Sequence, residues 1–378
     1  MIDLAAARET FEASTDLTVG IEEEFALVDP STHELVPMFE PLRDAAMADD
    51  VLAASVAGEL ISSEIEIRSG RGDDVGDALA RQAQARARLF RLADSLGVAL
   101  GATGTHPLSD YQGQHLIDTE HYRRVGEGLK YVAWRNNTFS VHVHVGIRGA
   151  DRAVRVCDRL RPVLPTLLAI SADSPFVDRI DSGLHSARTQ IFTKSFPRCG
   201  IPDAFGSWQA WAEYVDLLVR TNSIVEFTQL WWSVRPHHAF GTVEVRICDA
   251  QMTARESDAL VRLVVACVAQ AAREVDEGRT PPEVPARLIE ENMWRAIRHG
   301  LDGDLLDLEG PRIEEYPAAE AVERLSAWAG VRVDLPELNG AQRQRRMLDA
   351  GATPAEVYAE SLRETRTTYC ERDEEAVG

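Results

Sequence analysis

The stretch VHVHVGI, residues 141–147, alternates valine with histidine before closing on glycine and isoleucine. Side chains of a strand alternate between its two faces. A strand here puts His142 and His144 on one side and Val141, Val143, Val145 and Ile147 on the other. Three further runs share the habit. Residues 240–247 set Thr242, Glu244 and Arg246 against Val243, Val245 and Ile247; residues 61–68 set Ser62, Glu64, Glu66 and Arg68 against Ile61, Ile65 and Ile67. Residues 20–27 set Glu22 and Glu24 against Ile21, Phe25 and Leu27, with Glu23 alone breaking the apolar side.

A sheet with one solvated face is the commonest source of such alternation. Two features weigh against it. Solvated faces mix Lys, Thr, Ser and Gln, whereas these four runs collect carboxylate, imidazole and guanidinium. Carboxylates two residues apart also repel each other unless a cation lies between them. Glutamates and histidines gathered from several strands are what a hard divalent ion requires. Mg²⁺ or Mn²⁺ takes oxygen ligands in octahedral geometry and keeps positions open for water or phosphate. Structural zinc favours cysteine and histidine with few carboxylates, so a glutamate-rich face fits magnesium better.

The remaining pattern places the four runs in an α+β, mainly antiparallel fold. Strands are expected at 17–28, 59–68, 98–102, 138–147 and 240–249. Between them lie helical patterns near 75–96, 151–171, 207–220 and 255–275, without regular βαβ alternation. The polar, Pro-rich segment 277–284 (DEGRTPPE) marks a change in composition. Beyond it come helical runs near 285–299, 317–328, 341–350 and 354–367 and no convincing strands, ending in an acidic tail expected to fray. This division gives residues 1–276 as the catalytic sheet with its helices and 277–378 as a helical part packed on the same domain.

Composition narrows the function classes. The 378 residues carry 40 basic against 61 acidic side chains, a net charge of −21 that disfavours nucleic acid and anionic membranes as partners. No apolar run approaches a membrane span, and the N-terminal residues lack the basic and apolar regions of a secretory signal. Five cysteines without CxxC spacing read as reduced thiols of a cytoplasmic protein. Lys130 and Lys194 are the only lysines, and neither lies in a phosphate-loop motif. An anionic substrate therefore needs arginines or metal ions to receive it.

Six motifs in order, GIEEEF, ELISSEIEI, HVHVG, FPRCGIP, WWSVRP and GTVEVRICD, resemble the glutamate–cysteine ligase type 2 family over about residues 17–275. The resemblance implies an ATP-dependent carboxylate–amine ligase with a curved, glutamine synthetase-like sheet that binds ATP and Mg²⁺ or Mn²⁺ on its concave face. It implies that Glu22 and Glu24 hold different ions. His142 and Glu244 would complete one shell with Glu22, and Glu59 and Glu66 the other with Glu24. Glu59 and Glu66 have opposite parity on a regular strand, so a bulge or bend near residues 58–63 is required, with Glu64 the same-face alternative to Glu59. His144 would lie near the nucleotide.

The implied chemistry is attack of a carboxylate on the γ-phosphorus of ATP, followed by displacement of phosphate by an amine. Arg246, two residues beyond Glu244, is placed to meet the phosphoryl group in transit. Arg235, Arg188 and Arg135 are the candidates for gripping a substrate carboxylate. Of Trp231 and Trp232, one is expected in the core and one on the pocket wall. The expected substrates are small molecules, glutamate or a similar carboxylate and an amine such as cysteine; a homo-oligomer is left open. Two other readings share these residues: phosphoryl transfer to a guanidino group, and a nucleotide- or metal-binding sensor without turnover.

Overall fold

The computed structural model describes residues 2–279 and 283–370. The expected acidic tail, 371–378, and the centre of the Pro-rich segment fall outside the described residues. Seven strands form the main sheet: β1 (Val19–Val28), β2 (Val56–Ala57), β3 (Glu64–Arg68), β4 (Ala99–Gly101), β5 (Ser140–Gly146), β6 (Val234–His237) and β7 (Thr242–Asp249). Their order is β6-β7-β5-β1-β3-β2, with β4 pairing the end of β1, and every pairing is antiparallel. The α+β, antiparallel architecture is the one expected from the alternating runs.

The odd-numbered residues of those runs turn to one side. Ile21, Phe25, Ile65, Ile67, Val141, Val143, Val145, Val243, Val245 and Ile247 are buried beneath the sheet. Helices Val75–Ser95, Ala150–Leu160 and Ala254–Asp276 cover that side. Asp74 caps the first by accepting from the Asp77 amide, and Thr253 caps the last by accepting from the Glu256 amide. Glu23 is on this apolar side and fully committed. Arg86, from the Val75–Ser95 helix, donates to both its carboxylate oxygens at 2.5 and 2.6 Å, and Ser257 and Gln82 add further bonds.

Four expectations are corrected. The strand drawn at 59–68 begins only at Glu64, because residues 58–63 leave the sheet as a loop held against residues 115–117. The helix drawn at 151–171 is two helices, Ala150–Leu160 and Leu164–Ser171, separated by a 3₁₀ turn. Pro162 and Pro165 lack the amides that a continuous helix would use there. The region after 277 is not all helical: Asp304–Asp307 and Glu314–Pro317 form an antiparallel hairpin. The helix drawn from 317 accordingly starts at Ala321. Their alternation is too short and polar to stand out, and Leu305 and Tyr316 alone reach the core.

Residues on both sides of 277–284 share one core, which runs from Ala7 through Val145 to Leu325 and Ala329. The last helix, Pro354–Cys370, returns to β1: Tyr369 stacks on Phe90 at 5.3 Å and meets Phe25 edge-on at 5.5 Å.

Candidate metal and substrate site

Strand register assembles the polar face. Glu22 on β1 lies opposite His142 on β5 and Arg68 on β3; Glu24 lies opposite Glu66. Glu244 on β7 lies opposite His144 on β5 and Arg235 on β6. The side chains meet as the register demands. His142 Nδ1 is 3.2 Å from Glu22, and His144 Nε2 is 3.5 Å from Glu22 and 3.8 Å from Glu244. Ser140 donates to Glu24 at 2.6 Å and meets His142 Nε2 at 2.8 Å.

Three groups bring ligand atoms within 4.8 Å of one another: Glu24, Glu59 and Glu66; Glu22, His144 and Glu244; and Glu22, Glu66 and His142. The first combines a strand pair with Glu59 from the 58–63 loop. That loop is pinned where the Tyr122 hydroxyl donates to Gly58 O at 2.5 Å and the Ser62 amide to His115 O at 2.8 Å. The other two regroup the residues: His144 stands with Glu22 and Glu244, the company expected of His142, while His142 stands with Glu22 and Glu66. Glu64 lines the cavity but belongs to none of the three groups.

Like-charged carboxylates this close and this buried carry a cost. At an effective dielectric constant of about 20, two charges separated by about 4.8 Å repel by about 3 kcal/mol. Burial, then the neighbouring Glu24, lifts the carboxyls of Glu59 and Glu64 above the usual range, and burial with Glu22 and Glu59 lifts that of Glu66. Glu22 behaves oppositely: burial opposes ionisation, but His144 and His142 outweigh it and hold the carboxyl well below the usual range. Burial, with Arg246 beside it, lowers His142 to about 4, so its imidazole is neutral. His144 Nε2 is buried without a hydrogen-bond partner, although two carboxylates face it. A divalent cation would fit this donor set, since the crowded carboxylates would be neutralised by it and the orphaned imidazole nitrogen would gain a partner.

Arginines flank the face. Arg246 pairs with Glu244 and keeps its buried Nε unpartnered. Arg235 donates to Glu244 at 2.5 Å and to Leu230 O at 2.5 Å. Arg188 donates to Ile247 O and Arg246 O and is 3.6 Å from Asp249. All three line one cavity of about 360 Å³ above the carboxylates. Arg135, the third candidate, is not among the residues that line it: it pairs with Asp178 at 2.7 Å and lies over the Tyr111 ring. It follows the short helix Tyr131–Trp134 outside any sheet strand, and no parity rule fixes its direction.

Trp232 is in the core and Trp231 on the cavity wall. Sequence reading gives Arg68, Tyr122 and Phe240 no role, yet all three line the cavity. For Arg68 the parity with Glu66 was a signal; Tyr122 and Phe240 come from a helix and a hairpin turn that carry none. A second cavity, of about 580 Å³, lies on the other side of Glu22, Arg68 and Phe240, which line both. Its outer rim is the segment around Thr15 and Thr18, laid across β5 where a side chain at Gly146 would strike Thr15 O at 2.2 Å.

The antiparallel sheet thus gathers carboxylates and imidazoles on a buried polar face beneath two adjoining cavities. The sequence matches the family described as Glutamate-cysteine ligase family 2 over residues 18–372. A relative from Rubrobacter xylanophilus, named "Putative glutamate--cysteine ligase 2-2", is 40% identical over 327 residues, covering 85% of this chain and 82% of its own. A relative of the same enzyme name from Sorangium cellulosum is 38% identical, covering 89% of each chain. Among solved structures, a glutamate–cysteine ligase from Francisella tularensis in complex with AMP superposes with a TM-score of 0.65 at 12% identity, covering 95% of this chain and 91% of that one. A bifunctional glutathione synthetase from Pasteurella multocida gives 0.68 at 12% identity; this chain spans about half of it (54%). The chain belongs to glutamate–cysteine ligase family 2, and with it to the ligases. No helix among the described residues is long and apolar enough to cross a membrane.

Proposed function

We propose that this protein is a cytoplasmic, ATP-dependent carboxylate–amine ligase that activates the γ-carboxylate of glutamate as an acyl phosphate and passes it to an amine. The observation that carries this reading is the seam between the two cavities, where Glu22, Arg68 and Phe240 belong to both. A nucleotide in the larger cavity would meet a carboxylate in the smaller one at the clustered ligands. Glu24, Glu59 and Glu66 would hold one divalent ion and Glu22, His144 and Glu244 another, with His142 between Glu22 and Glu66. Such ions supply neutralisation of phosphate charge.

The chain's own residues do the rest. Arg246 lines the cavity beside Glu244, where its guanidinium would be a donor for charge that develops on the transferring phosphoryl group. Arg188 and Arg235, held from behind by backbone carbonyls, are pre-set to receive the α-carboxylate of the donor. Burial of the carboxylate face keeps water from the acyl phosphate. Free cysteines throughout the described residues support a reducing compartment.

The test is phosphate and ADP release from purified protein with ATP and Mg²⁺, with and without glutamate and an amine. Release of both products only when both substrates are present is the expected result. ADP without free phosphate would instead identify a kinase, and binding without turnover a sensor.

A further inference from the structure

We infer that Arg68 is a second cation of the phosphoryl transfer, meeting the β-phosphate of the nucleotide on the leaving-group side while Arg246 serves the other. This rests on the ligase reading above and extends it to a residue for which the sequence gives no role.

Register puts the two arginines at the ends of one row across the sheet. Arg68 on β3 lies opposite Glu22 on β1, and Glu22 lies opposite His142 on β5. The row ends on β7, where the ladder shifts between Val245 and Cys248 and Arg246 Nη1 comes within 3.5 Å of His142 Nδ1. Three strand spacings of about 4.8 Å, roughly 14 Å in all, separate the two backbones. Glu22 and His142, both candidate ligands, occupy the middle.

The two ends face different spaces. Arg246 lines the smaller cavity and not the larger, whereas Arg68 lines both. Of the other basic side chains on the larger cavity, Arg71 and His144, neither lines the smaller one. Among the described residues Arg68 is therefore the one cation that both cavities share. Its side chain is 46% exposed, and its hydrogen bond is made by Nε, to Glu66, with Glu22 at 3.6 Å. The two terminal nitrogens make no hydrogen bond among the described residues and are open to an anion at the seam.

That is where the leaving group gathers charge. In the transfer an oxygen of the donor carboxylate bonds to the γ-phosphorus, and the bond from that phosphorus to the β–γ bridging oxygen breaks. The electron pair stays on the bridging oxygen, so negative charge grows on the β-phosphate of the departing ADP. A guanidinium fixed there stabilises the charge as it forms.

The experiment compares Arg68→Gln with the unmodified full-length protein in Mg²⁺; the exposure of Arg68 spares the core. By calorimetry, Kd for ADP should rise at least about tenfold, while Kd for AMP, which has no β-phosphate, changes less than about twofold. Glutamate-dependent hydroxamate formation from hydroxylamine, an acceptor without a carboxylate, should fall by on the order of 10²-fold in kcat with KM for glutamate unchanged. The Mn²⁺ affinity of nucleotide-free protein should stay within about threefold, which separates phosphate contact from loss of the Glu66 bond. Unchanged ADP affinity, an equal fall for ADP and AMP, or a fall matched by that for Mn²⁺ overturns the inference. So does an unchanged hydroxamate rate with a raised KM for cysteine, which assigns Arg68 to an acceptor carboxylate. ADP affinity lost selectively in the variant, with no hydroxamate from the unmodified protein, overturns the ligase reading and leaves the phosphate contact standing.

Discussion

Glu24 and Glu66 stand directly opposite each other on neighbouring antiparallel strands, both buried, with Glu59 closing on them from a loop. Nothing in strand pairing favours two carboxylates in that relation. Neutralising Glu24 should therefore relieve the metal-free protein. Glu24→Gln is expected to raise the thermal midpoint at pH 8 in EDTA by about 4 °C, for roughly 3 kcal/mol of relieved repulsion, and to remove the further rise that millimolar Mg²⁺ gives the unmodified protein. Calorimetry reads both; a lowered midpoint in EDTA would contradict the cation reading of this pair.

Arg246 carries the transition-state charge in this account. Arg246→Lys retains a positive charge beside Glu244 but loses the planar, unpartnered Nε. Turnover measured as glutamate-dependent phosphate release should fall by on the order of 10³-fold. A change of less than about threefold would remove Arg246 from the reaction.

Beneath the sheet, Glu23 and Arg86 form a buried pair between the two ligand positions of β1. Glu23→Leu leaves Arg86 with only Asp258 and Ser257 as hydrogen-bond partners. The expected loss of stability is about 3 kcal/mol in urea unfolding. Because Glu22 and Glu24 flank the substituted residue, the affinity for Mn²⁺ should fall with it.

Most of the sheet and most of its polar face were legible in the sequence because the strand period is 2: parity alone aligns Glu22, Glu24, Glu66, His142, His144, Glu244 and Arg246. What parity cannot give is register. Which histidine faces which glutamate depends on pairing, and the pairing sets His144 opposite Glu244 and His142 opposite Glu22. Glu59 lies outside any strand, so only the family resemblance pointed to it. The apparent anomaly of Glu23 is a long-range matter, since its partner Arg86 is 63 residues away. The hairpin after residue 303 and the break at Arg161–Val163 were missed because short polar strands and proline-interrupted helices leave weak periodicity.

Acid lability should follow from buried neutral histidines. His106 is enclosed, meets His33 O through Nε2 and accepts the Leu108 and Ser109 amides at Nδ1. Burial lowers it from 6.5 to about 4, with the His33 carbonyl opposing. The unfolded chain thus binds the proton first, so its contribution is complete above pH 6.5 and is lost as pH falls toward 4. That loss amounts to about 3 kcal/mol. Urea midpoints from pH 7.5 to 4.5 should fall, and His106→Asn should flatten the slope. An unchanged slope would show that His106 is already protonated or exposed.

The most direct measurement is anomalous diffraction from crystals grown with Mn²⁺ and ADP. Two peaks are predicted, one among Glu24, Glu59 and Glu66 and one among Glu22, His144 and Glu244. A site without manganese density, or manganese bound only at surface carboxylates, would contradict the account.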